Sequence, residues 1–485
     1  MDYGKIRKIN KLLETKKISC AELTEKYLGA IEKENPALNA YVRTTPELAM
    51  ETAKRVDKKV ASGEKLMPLE GVPMTLKDNI STTGIETTCC SKILSGYEPI
   101  YDATVWDILK KQNAVLLGKC NMDEFAMGST CRTSCYGGAR NPRNTVCVPG
   151  GSSGGAASAV GGNIAAYALG SDTGGSIRQP ASFCGIVGFK PTYGAVSRYG
   201  LIAFASSLDQ IGPLTTSVED SAIIYDAIAK YDKMDSTSSD KAKPALSSLN
   251  NDIKGKKIGV AKEYLDGVRD DIKAEFEKSL KVFESLGAEI VHLSMPSIKY
   301  SLPVYYILAC AEASSNLGRY DGIRYGYKTY HFSDRDEMVC RTRSEGFGAE
   351  VKRRILLGTY VLSSGYYDAY YKKAQNLRGA IVNAFDGAFA KCDFMAAPTV
   401  PMTAFPMDYT PDNPVETYLT DICTVPVNIA GLPGISVPCG FGKDNMPVGI
   451  QVIGRKFEEP LILNAAYKFE QAAGAFKPVE MGVKL

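Results

Sequence analysis

The sequences GGSSGG at residues 150–155 and GSDTGGSIRQP at residues 170–180 decide the fold and the chemistry of this chain. Both lie in a stretch, 137–200, that is rich in glycine, serine and alanine and poor in charge. A small-residue helix is predicted at 154–160, and a buried apolar strand at 164–169. A flexible linker would not contain such segments, so we expect both serine clusters to lie on a folded core.

Three other glycine-rich motifs do not fit these clusters. A Walker phosphate loop ends in Gly-Lys-Ser/Thr, which is absent. A dinucleotide fingerprint needs G-x-G-x-x-G at the start of a helix and an acid about 20 residues later, and this pattern is not matched either. Residues 150–154 match G-x-S-x-G, but the nucleophile elbow needs a preceding strand, and 141–149 is a poor one. The elbow also needs a histidine, and the chain has only His292 and His331.

With histidine so scarce, a lysine is the natural base for a serine nucleophile. A serine needs such a base at neutral pH. A lysine can act as the base only when it is neutral, which burial or a neighbouring cation favours. Lys77 ends a predicted strand, 71–77, and is the candidate, although the position also suits an ordinary surface lysine. Glycines before Ser176 would let backbone N–H groups form an oxyanion hole.

Composition argues against several other classes of protein. The chain has 57 Lys+Arg and 54 Asp+Glu, a formal net charge of +3, so there is no electrostatic case for a dedicated nucleic-acid binder. Its 13 cysteines form no C-x-x-C pair, and Cys131 and Cys135 lack further metal ligands. We expect the cysteines to be small buried residues in a reducing cytosol. No apolar run of 18 residues and no signal-like start occur, so we expect a cytoplasmic protein without a membrane span.

Alternating strands and helices predict an α/β fold with a large mixed central sheet covered by helices on both faces. We expect one domain over residues 1–485, with N-terminal helices in 1–65 and the serine clusters in a core, 66–231. A polar surface loop is predicted at 232–256, and the rest of the sheet with its helices at 257–485. Further predicted strands are 114–118, 257–261, 289–293, 394–398, 435–438 and 448–453. Predicted helices include one that starts at the Ser19–Glu22 capping box, and 104–111, 218–230, 268–286 and 459–473.

The pattern of Lys77, Ser152 and Ser176, with the serines 24 positions apart, resembles the amidase signature family. The match is nearly continuous over 148–212. The resemblance implies the amidase signature fold and a Ser–Ser–Lys triad. In that triad Ser176 attacks an amide carbonyl and forms an ester that water later cleaves. Ser152, in a cis peptide, would pass protons between Ser176 and Lys77 and then to the leaving ammonia.

The other polar residues of the two clusters are expected to shape the loops. The resemblance implies that the oxyanion is held by the backbone N–H groups of Thr173, Gly174, Gly175 and Ser176. We expect Ser153, Ser171 and Asp172 to support the loop through local hydrogen bonds. Arg178 is expected to brace the same loop and not to take part in catalysis.

The second half of the chain resembles the glutamine-hydrolysing A subunits of tRNA-dependent amidotransferases within that family. The matching stretches are 312–317, 320–326, 342–348, 350–359, 363–373 and 424–433. The resemblance implies that Arg354 binds the α-carboxylate of glutamine, in a forked geometry that suits a guanidinium, and that Asp421 binds the α-ammonium. Taken alone, Arg354 could equally be a surface cation like Arg353, and Asp421 a solvated acid at a helix end.

This resemblance implies an assembly with two more subunits, B and C. The B subunit would use ATP and Mg²⁺ to activate the glutamyl or aspartyl group of a mischarged tRNA, and would make most of the tRNA contacts. No cofactor or metal is expected in this chain. A stand-alone amidase acting on a small amide and a catalytically silent structural subunit remain alternatives.

One stretch, 128–138, departs from the pattern of the family. It carries Cys131, Cys135 and an additional glycine, where relatives usually have other residues. Loops near this point line the substrate pocket in the family. We therefore assign no binding role to Ser129 or Tyr136.

Overall fold

The computed structural model describes residues 4–410, 415–474, 476 and 479–485. Within them, strands and helices alternate around one mixed sheet of eleven strands, which confirms the predicted α/β class. The strands are β1 (Tyr41–Thr44), β2 (Pro73–Lys77), β3 (Val115–Cys120), β4 (Tyr167–Asp172), β5 (Val187–Lys190), β6 (Gln210–Thr215), β7 (Lys257–Ala261), β8 (Glu289–Leu293), β9 (Phe394–Pro398), β10 (Gly434–Phe441) and β11 (Pro447–Ile453).

The α-helices of the described residues surround this sheet. They are α1 (Lys5–Glu14), α2 (Cys20–Leu38), α3 (Pro46–Ser62), α4 (Thr104–Lys111), α5 (Gly154–Gly161), α6 (Arg178–Cys184), α7 (Val218–Ile228), α8 (Asp270–Ser285), α9 (Ser301–Asn316), α10 (Arg335–Gly346), α11 (Ala349–Leu362), α12 (Lys373–Phe389), α13 (Val415–Tyr418), α14 (Val425–Ile429) and α15 (Glu459–Ala473). None of these helices is long and apolar enough to cross a membrane.

The order of strands in the sheet is β1-β3-β2-β4-β6-β5-β10-β11-β9-β7-β8. Strand β2 runs parallel to both of its neighbours, β3 and β4. Strands β10 and β11 come from the end of the chain but lie inside the sheet, where they pair antiparallel with β5 and β9. The strands before and after the segment 232–256 therefore belong to one continuous sheet.

Helices cover both faces of the sheet, as the alternating side chains of β9 illustrate. Phe394 and Ala396 pack in one core cluster with residues of α8 and α15. Met395 and Ala397 point to the other face, because successive side chains of a strand alternate. They pack in a second cluster with residues of α9, α11 and α12.

The strands predicted at 257–261, 289–293 and 394–398 are confirmed at those bounds. The capping box is confirmed as well, because Ser19 Oγ accepts from Glu22 N and the Glu22 carboxylate accepts from Ser19 N. Three short strands, β1, β5 and β6, were not predicted. The sequences of β5 and β6 contain glycine or proline, which weakens the strand signal.

The segment 232–256 has no regular element beyond a short turn at Leu246–Ser248. It is not purely a surface loop, because Ala245 and Ile253 are fully buried. Both belong to the core cluster that also holds residues of α7 and α15. Two apolar side chains thus fasten a polar segment to the core, which its composition did not predict.

Candidate active site

Lys77 lies at the end of β2 with its side chain fully buried. Its Nζ is 2.7 Å from Ser152 Oγ, 2.9 Å from Ser171 Oγ and 3.2 Å from Ser171 O. Burial lowers the pKa of Lys77 from 10.5 to about 8, although nearby carboxylates, Asp123 foremost, act in the opposite direction. A neutral amine is therefore accessible near neutral pH, as a base requires.

Ser171 is a second serine in contact with the amine of Lys77. Its hydroxyl also accepts a hydrogen bond from Asn79 Nδ2 at 2.9 Å. All four side chains are buried. Ser171 supports its loop, as expected, but it also contacts Lys77 directly, which the sequence did not reveal.

Ser152 lies in a tight turn that enters α5. The peptide bond between Gly151 and Ser152 is cis, as the resemblance implies. The carbonyl of Ser152 accepts from Asp123 N at 3.2 Å, and Ser153 Oγ donates to Ser171 O at 3.1 Å. No strand precedes the turn over 141–149, so the turn is not a nucleophile elbow.

Ser176 lies between β4 and α6, beside the turn of Ser152. Its carbonyl accepts from Ser153 N at 3.1 Å, so the two serine-bearing segments are in direct contact. Ser176 is 7% exposed, whereas Ser152 and Lys77 are completely enclosed. Ser176 is thus the one member of the predicted triad that a substrate can reach. Within the described residues its hydroxyl has no hydrogen-bond partner, and the contact with Ser152 that a relay needs is not formed in this structure.

The predicted oxyanion donors differ in their hydrogen bonds. The N–H of Gly175 donates to Asp172 Oδ1 at 2.8 Å. The N–H groups of Gly174 and Ser176 donate to no described residue and remain available. Gly175 has φ +138°, and a Cβ there would lie 2.1 Å from Thr424 Oγ1, so only glycine fits.

Arg178 braces this loop from within the core, as predicted. Its Nε and Nη2 donate to the two oxygens of Asp172, both at 3.1 Å. Its other N–H groups donate to Thr424 O, Gln451 Oε1 and Asn428 Oδ1. Burial would raise the pKa of Asp172, but the Arg178 guanidinium, together with Lys190 and Asn428, lowers it to about 2. With every N–H engaged, Arg178 has none left for a substrate.

Arg354 projects from α11 into a cage of aromatic rings. Its guanidinium carbon lies 5.1 Å from the ring centre of Tyr306, 5.6 Å from that of Phe204 and 5.7 Å from that of Tyr418. Its Nε donates to Glu350 Oε1 at 2.8 Å, and its remaining N–H groups donate to no described residue. Arg354 is buried, unlike its exposed neighbour, so its interpretation as a surface cation is wrong.

Asp421 is also buried, and its interpretation as a solvated acid is therefore wrong. Its Oδ2 accepts a hydrogen bond from Ser129 Oγ. Burial raises the pKa of Asp421 from 3.8 to about 7, while Ser129 and Arg354 act to lower it. A cation that binds here would stabilise the carboxylate form.

A pocket of about 280 Å³ adjoins Arg354 and Ser129. It is lined by Gly128, Ser129, Thr130, Arg132, Thr133, Glu350, Arg353, Arg354, Thr410, Thr417 and Tyr418. Asp421 binds Ser129 of this lining. Thr424 connects Asp421 to the nucleophile loop, because its N–H donates to Asp421 O at 3.0 Å and its Oγ1 donates to Gly174 O at 2.7 Å. The predicted substrate residues and the predicted nucleophile thus belong to one packed unit.

Sequence reasoning missed the partners of the predicted residues. Ser129 binds Asp421, and Glu350 orients Arg354. The only signal for Ser129 was its place in the loop 128–138.

In that loop Cys131 is buried and Cys135 is exposed. The described residues contain no group of three or more His, Cys, Asp or Glu side chains that could hold a metal ion.

This combination of fold and site is that of a class of enzymes that cleave amides. The sequence model of the family named Amidase matches residues 22–463, and the chain belongs to that family. Similar proteins include the A subunit of glutamyl-tRNA(Gln) amidotransferase from Caldanaerobacter subterraneus subsp. tengcongensis, which is 55% identical over 96% of each chain. The protein of the same name from Carboxydothermus hydrogenoformans is 55% identical over 97% of each chain.

Solved structures give the same family. The A subunit of glutamyl-tRNA(Gln) amidotransferase from Thermotoga maritima is 41% identical, with a TM-score of 0.80 over 96% of this chain and 95% of that one. The peptide amidase of Stenotrophomonas maltophilia is 28% identical, with a TM-score of 0.84 over 99% and 98% of the two chains. Enzymes of this fold therefore act on different amides, and the substrate must be argued from the pocket.

Proposed function

We propose that this chain is the glutamine-hydrolysing A subunit of a glutamyl-tRNA(Gln) amidotransferase. The observation that carries the proposal is the presence of one buried cation, Arg354, and one buried acid, Asp421, at this site. Arg354 lines the small pocket, and Asp421 binds Ser129, which lines it too. Glutamine presents the complementary pair of charges next to its amide. The near full-length similarity to relatives of that name supports the same assignment.

Glutamine would bind with its α-carboxylate on the free N–H groups of Arg354 and its α-ammonium on Asp421. A guanidinium held by Glu350 and by aromatic rings is already oriented, so little side-chain freedom is lost on binding. The raised pKa of Asp421 is consistent with this role. A bound ammonium would give the buried carboxylate the charged partner that stabilises its ionised form.

Ser176 would attack the side-chain amide of glutamine in the first half of the reaction. As its Oγ bonds to the carbonyl carbon, its proton moves to Ser152, and the proton of Ser152 moves to the neutral amine of Lys77. The backbone N–H groups of Gly174 and Ser176, with Thr173, would hold the oxyanion. The C–N bond then breaks, and Lys77 returns a proton through Ser152 to the leaving ammonia.

Water would complete the reaction by attacking the glutamyl ester. The same relay takes a proton from the water, and cleavage of the ester returns a proton to Ser176 and releases glutamate. Apart from water, no group outside the chain is needed for either half. We therefore propose Lys77, Ser152 and Ser176 as the catalytic residues, with no cofactor in this chain.

The ammonia would be used by partner subunits, B and C, in a cytoplasmic complex. The B subunit would use ATP and Mg²⁺ to activate the side-chain carboxylate of glutamate on tRNA(Gln), and ammonia would convert it to glutaminyl-tRNA(Gln). Aspartyl-tRNA(Asn) could be converted to asparaginyl-tRNA(Asn) in the same way. The near-neutral charge balance of this chain fits a subunit that leaves tRNA binding to its partner.

A stand-alone amidase that acts on a small amide is the second candidate. One observation favours it, since the lysine and both serines come from this chain alone. The decisive experiment purifies the chain from native extract and identifies what accompanies it. Glutamine-dependent formation of Gln-tRNA(Gln) by the purified complex, with ATP, would support the first proposal. A partner-free chain that hydrolyses small amides as fast as glutamine would support the second.

A further inference from the structure

Gln179 is a buried side chain that lies between the turn of Ser152 and the loop of Ser129. Its Oε1 accepts from Gly151 N at 2.9 Å, and its Nε2 donates to Ser129 O at 3.0 Å. We propose that Gln179 is a positioning residue for substrate specificity, because it fixes Ser129, and through Ser129 the acid Asp421, relative to the Ser152 turn. The inference rests on the proposed binding of glutamine by Asp421.

A neutral amide of this length meets two different requirements at once. The Gly151 end needs an acceptor, and the Ser129 end needs a donor. An ionised glutamate would accept at both ends, and a lysine or arginine would donate at both. Asparagine is one methylene shorter, so it cannot span the same two groups. The identity of Gln179 is thus matched to two different loops at once.

The two loops approach so closely that neither can move far without the other. A Cβ on Gly150 would lie 2.5 Å from Gln179 Oε1, and a Cβ on Gly151 would lie 2.6 Å from Thr130 N. Thr130 directly follows Ser129 in the chain. Gln179 itself is on α6, three residues after Ser176. One side chain therefore joins the nucleophile segment, the relay serine and the pocket loop.

The link to specificity passes through the hydroxyl of Ser129. Among the described residues it is the only hydrogen-bond donor to the Asp421 carboxylate. If the backbone of Ser129 shifts, this bond lengthens and the carboxylate loses its fixed direction. Glutamine would suffer, since its α-ammonium needs that carboxylate. Butyramide, which is glutamine without the α-ammonium and α-carboxylate, would not.

The test compares Gln179→Leu and Gln179→Met, two apolar changes of similar volume, in the full chain together with its partner subunits. For each variant kcat/KM is measured with glutamine and with butyramide on one preparation. Their ratio does not depend on the folded fraction, so a partly misfolded variant remains informative. We expect the glutamine/butyramide ratio to fall about 3- to 10-fold, the effect of one neutral hydrogen bond, with a rise in KM for glutamine.

A double-mutant cycle with Ser129→Ala asks whether Gln179 acts through Ser129. We expect the double variant to have the same glutamine/butyramide ratio as Ser129→Ala alone, because both changes act on the same hydrogen bond, from Ser129 to Asp421. Additive effects on the ratio, or an equal fall for both substrates, would overturn the inference. Asp421→Ala tests the proposed glutamine site separately from the role of Gln179. If it leaves the ratio unchanged, the proposed glutamine site is wrong. If it lowers the ratio while the Gln179 variants do not, only the role of Gln179 is wrong.

Discussion

Lys77 Nζ and Ser152 Oγ lie 2.7 Å apart in a space that is closed to solvent. Water would stabilise the ammonium form of the lysine, and its exclusion favours the neutral base. Ser176, by contrast, keeps 7% of its surface exposed. The base, Lys77, is thus shielded from water, whereas the nucleophile, Ser176, is accessible to the substrate. Each of these two roles can be tested separately.

Ser176→Ala should abolish formation of the glutamyl ester and leave the fold intact, because the hydroxyl has no partner among the described residues and its loss leaves none unsatisfied. Mass spectrometry of acid-quenched wild-type enzyme should find the glutamyl adduct on Ser176. Thermal unfolding of the variant checks the fold. An adduct on Ser152 would mean that the two serines have exchanged roles.

Lys77→Arg should be as inactive as Lys77→Ala, since a guanidinium keeps its proton and cannot act as a base. Lys119 supplies the matched control. It is equally buried and burial lowers its pKa to about 8, but its Nζ contacts Thr82 and Thr87 and neither serine of the site. Lys119→Arg should lower stability and keep the activity of the folded fraction. Substantial glutaminase activity in Lys77→Arg would make Lys77 a structural residue.

The activity should rise with pH, and more steeply for glutamine than for butyramide. With a pKa of about 8, Lys77 is about one-tenth neutral at pH 7, and the neutral fraction grows as pH rises. Asp421, with a pKa of about 7, must also lose its proton before it can bind an ammonium. Below pH 7 a plot of log kcat/KM against pH should have a slope of about 2 for glutamine and about 1 for butyramide. Parallel profiles would remove Asp421 from substrate binding.

Arg354→Ala and Asp421→Ala should each lower kcat/KM for glutamine by about 10- to 150-fold, the usual effect of one charge-assisted hydrogen bond. Butyramide should be affected far less, because the catalytic residues are unchanged. Arg341→Ala is the control, as Arg341 also pairs with a glutamate of its own helix, Glu337, but neither residue lines the pocket. An equal loss for both substrates would assign Arg354 and Asp421 to the fold.

Arg178→Met should destabilise the protein by about 3–5 kcal/mol, the usual cost of leaving a buried carboxylate without its cation. Asp172 would be that carboxylate. Urea unfolding measures the loss, and activity should fall with it because Asp172 holds the N–H of Gly175. Asp172→Asn combined with Arg178→Met should recover part of the stability. A variant as stable as wild type would show that Asp172 has sufficient other partners.

The parts of the site that follow local sequence patterns could be predicted. Lys77 ends an apolar strand, and Ser152 and Ser176 lie in clusters whose spacing is typical of one family. Arg354 and Asp421 came from resemblance alone, because neither has a distinctive neighbourhood in the sequence.

The remainder depends on contacts that no local pattern encodes. Ser129 and Asp421 are hydrogen-bonded although 292 residues separate them. The hydrogen bond from the Gly175 N–H to Asp172 depends on one side-chain conformation, which the order of residues in the loop does not reveal. Strand β6 was not predicted because its Gly212-Pro213 dipeptide is typical of a turn.

The position of β10 and β11 inside the sheet has a consequence for how the chain is made. Strands β1–β6 and the group β7–β9 share no direct pairing, and only β10 and β11 join them. A ribosome releases these two strands last, so each growing half carries a bare edge, β5 in one and β9 in the other, until residues 434–453 emerge. A nascent chain that stalls before that point would expose both edges together, and its dependence on chaperones should end only when translation is nearly finished.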